Sequence, residues 1–116
     1  MIDLTNINKI YLVPGSTDLR LGIDGYSVIV QLAFNMNPLD GSLYLFCNKS
    51  HNKIKILHFE ETGFWLYYKR IETGTLKWPK DSTEIKNISP KQLRWLLEGL
   101  KINQKSLPDC KAKRVI

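Results

Sequence analysis

The chain has two cysteines, no apolar run of membrane-spanning length, and no lysine in its most glycine-rich stretch. Each shortage excludes something. Cys47 stands in an apolar run and Cys110 in a basic one, so there is no disulfide framework, and the composition suits a reducing cytosol. No segment reaches the roughly 20 apolar residues that a spanning helix needs. The N-terminus lacks the basic start and apolar block of a signal peptide. A soluble, cytoplasmic protein with no membrane partner is expected.

Catalytic constellations are missing too. Cys47, His51 and His58 match no common zinc spacing, so neither a metal nor another cofactor is expected. Asp18, Asp24, Glu60, Glu61, Glu72, Glu84 and Glu98 are scattered over turns and helix ends. Two-metal phosphodiester chemistry needs such groups to converge on paired ions. No Ser–His–Asp or Cys–His nucleophile has a local signature. The expectation is a protein without catalytic residues.

What is present is a foldable, basic domain. The chain has 116 residues, 43% of them hydrophobic, and a net charge of +6. That is enough apolar material for one core, and the charge favours acidic partners such as nucleic acid. Residues 1–101 are read as a single domain. Residues 102–116 are basic and polar and are read as a flexible tail.

KIYLV (9–13) alternates and stops at Pro14-Gly15, as a strand followed by a turn does. The stretch GSTDLRLGIDG (15–25) follows. It is neither a Walker phosphate loop, for want of lysine, nor a dinucleotide fingerprint, because its glycines are spaced seven and three apart. As a connector it reads well. Ser16, Thr17 and Asp18 can satisfy backbone donors, Gly22 and Gly25 can adopt positive φ, and Arg20 can pair with Asp18 or Asp24. As a ligand site it offers Arg20 and the start of a helix to a phosphate. Asp24 caps a helix expected over 24–34, with Tyr26, Ile29, Val30 and Ala33 on one face.

LYLFC (43–47), KIKILHFE (53–60), GFWLYYKR (63–70) and TLKWP (75–79) read as four strands with short polar links, an arrangement that favours an antiparallel meander. EIKNI (84–88) is a further short edge strand. SPKQLRWLLEGL (89–100) is a helix opened by a Ser89–Gln92 capping box with Pro90 in its first turn, and its apolar stripe is Leu93, Leu96, Leu97 and Leu100. Arg94 and Trp95 lie off that stripe and form a candidate protein contact. The fold expected is α+β: an antiparallel sheet of about five strands with two helices packed on it.

The 53–70 hairpin carries the functional expectation. With a two-residue loop, Lys53, Lys55, Leu57 and Phe59 share a face with Phe64, Leu66, Tyr68 and Arg70, while Ile54, Ile56 and His58 face the other way with Trp65, Tyr67 and Lys69. Lys53, Lys55 and Arg70 then crowd one end beside Tyr68. A polyanion would relieve their repulsion, and Tyr68 could stack on a base. The alternative is that the long stems simply lie over the sheet edge with their charges in water.

The motifs G-STDLR-x-G-x-DG (15–25), NP-x-DGSLYLFCN (37–48), KIKIL (53–57), GF-x-L-x-YKR-x-E-x-G-x-x-KWP (63–79) and SPKQLRWLLEG (89–99) occur in an order that resembles the small TnpB or Orf2-like accessory protein of insertion-sequence family sixty-six. The family signature Thr-Asp-Met/Leu-Arg falls on Thr17 to Arg20, Tyr/Trp-Lys-Arg on Tyr68 to Arg70, and Trp-Pro on Trp78-Pro79. The resemblance implies a non-catalytic partner of a separate transposase that performs the acid-residue chemistry. The chain departs from the family where CNKSHNK replaces an arginine-rich loop, where FEETG replaces Trp-Asp-Gly, and at Asn37-Pro38-Leu39. Two expectations follow. One is a DNA-binding accessory factor using Arg20, Lys49, Lys53, Lys55, Lys69 and Arg70 on phosphates and Tyr68 for stacking. The other is a module that docks on the transposase or another accessory protein through Arg94 and Trp95.

Overall fold

The computed structural model describes residues 4–5, 7–80 and 84–103. Five strands and two helical segments follow in the order β1 (Ile10–Leu12), α1 (Ile23–Val28) continued by a π-helical turn (Ile29–Ala33), β2 (Leu43–Cys47), β3 (Lys53–Glu60), β4 (Gly63–Arg70), β5 (Lys86–Ile88) and α2 (Pro90–Leu97). The strands form one sheet in the order β4-β3-β2-β1-β5. This is the expected α+β fold, a mostly antiparallel five-stranded sheet with two helices packed on it.

β2, β3 and β4 form the expected antiparallel meander. β1 instead runs parallel to β2, with Ile10 opposite Leu43 and Leu12 opposite Leu45. Parallel neighbours need a long crossover, and α1 with its flanking loops supplies it. β5 adds antiparallel to the outer side of β1. The carboxyl ends of β1, β2 and β4 and the amino ends of β3 and β5 therefore meet at one end of the sheet, where the pairing registers bring Leu12, Cys47, Lys53, Arg70 and Lys86.

Both faces are covered, which is why central β2 is buried along its whole length. One face carries Leu12, Leu45, Ile54 and Ile56 under Leu93 and Leu96 of α2. The other carries Tyr44, Phe46 and Leu57 under Tyr26 and Val30 of α1 and its continuation. Tyr26 lies against Phe46 with ring centroids 4.5 Å apart. Alternation along β2 therefore sends successive apolar side chains into two separate cores.

α2 matches its sequence signals. Gln92 N donates to Ser89 Oγ at 3.1 Å, and Ser89 N donates to Gln92 Oε1 at 2.8 Å. The helix stops earlier than 100. Gly99, at φ 85°, takes the left-handed position, Gly99 N donates to Leu96 O, and Leu100 N donates to Trp95 O. These are the two bonds of a Schellman ending, and they leave Leu100 exposed rather than on the stripe. Ile102, beyond this turn, is buried in the α2-side core. Residues 104–116, most of the expected tail, lie outside the described residues.

Three local expectations are corrected. Asp24 is not the cap of α1: Gly22 occupies that position without a side-chain bond, and Asp24 sits in the first turn. The helical run does not stay α. It widens to π over Ile29–Ala33, so Phe34 and Met36 meet the core while Ala33 is exposed. Finally, residues 75–79 pair with no strand among the described residues. Thr75 and Lys77 are exposed and Leu76 and Trp78 buried, which is strand-like alternation, but the segment crosses the sheet end as a strap. Ile71 N donates to Asn52 O at 2.7 Å, Leu76 N to His51 O at 2.8 Å, and Trp78 Nε1 to Val13 O at 2.8 Å. The Pro79 carbonyl accepts from Gly15 N at 2.9 Å. These bonds turn the chain inward after β4 instead of laying it along the β4 edge.

Candidate functional site

The loops at the Cys47–Lys53 end of the sheet are held by side-chain amides and by backbone. Asn48 Oδ1 accepts from the backbone of both Asn52 and Lys53 at 3.0 Å, and Asn48 Nδ2 donates to Asn52 Oδ1 at 2.7 Å. Those bonds fasten residues 48–52 into a closed loop with Lys49 and Ser50 exposed at its tip. Beside it, Thr17 N donates to Cys47 O at 2.8 Å, and the Tyr26 hydroxyl donates to Asp18 O at 3.0 Å. The 15–25 stretch is thus a strand-to-helix connector clamped to β2 and α1. Gly15, at φ 78°, supplies its left-handed turn. Gly22 and Gly25 do not adopt positive φ, against expectation. Gly25 is instead a packing position, where a Cβ would come within 3.1 Å of Leu21.

Between this connector, the 48–52 loop and the hairpin lies an open cleft of about 870 Å³. It is lined by Ser16 to Arg20, Asn48 to Ser50, and Lys53, Lys55, Leu66 and Tyr68. The hairpin register is as expected, with Lys53 opposite Arg70, Lys55 opposite Tyr68 and Leu57 opposite Leu66. Five of the seven residues expected to contact nucleic acid therefore share one cleft: Arg20, Lys49, Lys53, Lys55 and Tyr68. Tyr68 is 54% exposed.

The cations are not equivalent. Arg20 folds back on Asp18, with Nε 3.0 Å from Oδ1 and the terminal nitrogen 2.9 Å from Oδ2, while its backbone N–H also reaches Oδ1 at 2.9 Å. The side-chain and backbone hydrogen bonds from Arg20 lower the Asp18 carboxyl to about 2, and Lys55 adds a smaller electrostatic contribution. Lys55 Nζ donates to Leu21 O at 3.2 Å and lies 5.9 Å from the ring centres of both Tyr26 and Tyr68. It ties β3 to the start of α1. Lys49 is exposed and Lys53 half-buried, and both border the cleft.

Two residues of the expected set fall outside it. Lys69 projects from the opposite face of β4, as its pairing with Ile54 requires. Arg70 shares the Lys53 face but is engaged by Glu72, its Nε donating to Oε2 at 2.6 Å. Trp95 is half-buried, with the Lys91 ammonium 5.3 Å from its ring centre, beside exposed Arg94. Ser16, Ser50 and Asn48 also line the cleft, and sequence reasoning missed them. The paired asparagines bracketing Lys-Ser-His were the available signal.

Cys47 and His58 sit at opposite ends of the β2–β3 ladder, opposite Ile54 and Leu43 respectively. Burial pushes the Cys47 thiol up to about 12, away from a reactive thiolate. Among the described residues there is no cluster of three His, Cys, Asp or Glu that could hold a metal ion. Among them, too, no helix is long and apolar enough to cross a membrane.

The family described as IS66 Orf2 like protein matches residues 8–106. Two proteins of Sinorhizobium fredii are similar, both carrying the description uncharacterized protein. One, y4hO, is 34% identical over 92 residues, covering 79% of this chain and 80% of its own. The other, y4jC, is 24% identical over 92 residues, covering 79% of each. No solved structure gives a significant match.

Proposed function

The chain belongs to the family of IS66 Orf2-like proteins, and from that premise we propose that it is a non-catalytic accessory protein of transposition that binds DNA through the cleft between the 15–25 connector and the β3–β4 hairpin. The observation that carries the reading is the convergence of Lys49, Lys53, Lys55 and Arg20 on one concave surface with the exposed ring of Tyr68. Asp18 is the sole carboxylate among the described residues lining it, and Arg20 already satisfies that carboxylate. Lys49 and Lys53 neutralise phosphates, and Tyr68 packs on a sugar or an unpaired base. Contacts of this kind position a protein on a duplex without reading its sequence. Lys55 contributes charge while its bond to Leu21 O holds β3 to the start of α1, and Arg20 lines the cleft with its charge engaged by Asp18.

Family membership supports an accessory role beside a transposase, and docking on that enzyme is compatible with DNA binding. Arg94 and Trp95 remain the proposed contact for it, though the Lys91 ammonium and partial burial reduce the face that Trp95 presents.

The test is equilibrium binding to duplex DNA over a salt series. Replacing both Lys49 and Lys53 by Gln should weaken binding and reduce the slope of log affinity against log salt by about two, because each lysine neutralises about one phosphate. An unchanged affinity and slope in a folded double variant would refute the cleft as the DNA site.

A further inference from the structure

The 48–52 loop has a second cleft on its other side. It measures about 630 Å³ and gathers Lys77, Lys80, Lys86 and Lys101 with His51. Its floor is Leu76 and Trp78, which belong to the core on the α2 face of the sheet, whereas the first cleft opens on the α1 face. The cations come from three separate places: the strap, the start of β5 and the turn after α2. No carboxylate is among the described residues that line it.

We propose that this second cleft is also a phosphate-backbone site, so that one chain holds two duplex segments, one over each face of the sheet. The proposal rests on the reading of the first cleft only in that both are needed for bridging.

Several features support it. The strap carrying Lys77 and leading to Lys80 is fixed by bonds to His51 O, Val13 O and Gly15 N, so the backbone that presents these cations is held in place before any ligand arrives. Lysines brought together this way repel one another, and a bound polyanion removes that repulsion while releasing counterions. Burial lowers the pKa of His51, and the charge of Lys80 lowers it further. The apolar floor is not available for insertion into lipid, since Leu76 and Trp78 are only 2% and 4% exposed. A concave surface rimmed by flexible ammonium groups suits a ridge of phosphates, to which lysine binds as a point charge. Because the two clefts lie on opposite faces of the sheet, two duplex segments fit the arrangement better than one.

The experiment uses the full-length chain with two short blunt duplexes, one carrying a fluorescence donor and the other an acceptor. The wild type should bring them together and give energy transfer. Lys77→Gln with Lys80→Gln should still bind one duplex, with a salt slope reduced by about two, and should lose the transfer. Lys49→Gln with Lys53→Gln should likewise bind singly and lose it. In NMR titrations, saturating duplex should raise the pKa of His51 in the wild type, and less in the Lys77/Lys80 variant. Wild-type protein that never bridges overturns the proposal. So does a Lys77/Lys80 variant that bridges with an unchanged slope, which would mean that bridging arises from self-association. Failure of the first cleft would look different: the Lys49/Lys53 variant would behave as wild type while the Lys77/Lys80 variant lost binding altogether.

Discussion

Arg20 is closed onto Asp18 by a two-point ion pair, although 91% of the arginine side chain is open to solvent. The pair therefore sits at the lip of the cleft with its charges cancelled. Replacing Asp18 by Asn keeps an oxygen for the Arg20 backbone N–H but removes the competing carboxylate and frees the guanidinium. Asp18→Asn should bind duplex DNA more tightly than the wild type and steepen the salt slope by about one. Binding assays over a salt series check this, and weaker binding by a folded variant contradicts it.

The same pair sets an acid titration. The folded carboxyl is depressed from 3.8 to about 2, chiefly by hydrogen bonds from Arg20. A depressed folded value means that the contribution to stability is present above the unfolded value, near pH 4. It is lost as pH falls through the folded value, near 2. NMR titration of the Asp18 side chain should show the low midpoint in the wild type. In Arg20→Leu the midpoint should return toward the ordinary carboxylate range. A midpoint that Arg20→Leu leaves in place contradicts the assignment.

Lys55 looks like a ligand-binding cation in the sequence and acts as a brace in the fold. Lys55→Met keeps most of the stem but removes the donor to Leu21 O. Urea denaturation should show a loss of about 1–2 kcal/mol, the range for a hydrogen bond to a charged group moderated by partial exposure. Lys53→Met, which has no such bond to lose, should lower the salt slope by about one with little change in stability. The two variants reversing these effects would contradict the division of roles.

How much of this was legible beforehand depended on where each residue's partner lies. The β3–β4 register followed from alternation across a two-residue loop, so the shared face of Lys53, Lys55 and Tyr68 could be read directly. α2 could be read because Ser89, Pro90 and Gln92 are neighbours in sequence. The strap could not. Leu76 and Trp78 alternate with Thr75 and Lys77 as a strand would, and the acceptors that divert the segment are the His51 and Val13 carbonyls, far away in the chain. The second cleft depends on that diversion, so Lys77, Lys80 and Lys86 gave no local sign of convergence. The engagement of Arg70 by Glu72, two residues on, also lay outside the expected picture. The parallel pairing of β1 with β2 was hidden by a crossover whose helix changes period at Ile29.

Trp78 is the fixing point of the strap. Trp78→Phe preserves the aromatic volume but withdraws the indole donor from the buried Val13 carbonyl. A loss of about 1–3 kcal/mol is expected in denaturant unfolding, the cost of a buried acceptor deprived of its partner. A variant as stable as the wild type would show that the indole bond does not hold the strap.

The central claim is that the cleft between the connector and the hairpin is where DNA sits. Chemical-shift mapping of the labelled full-length chain, titrated with a short duplex, tests it most directly. The account predicts the largest perturbations at Thr17 to Arg20, Lys49 to Lys53 and Tyr68, with a second set at His51, Lys77 and Lys80. Perturbations confined to residues 104–116, or to Arg94 and Trp95 on α2, would contradict it.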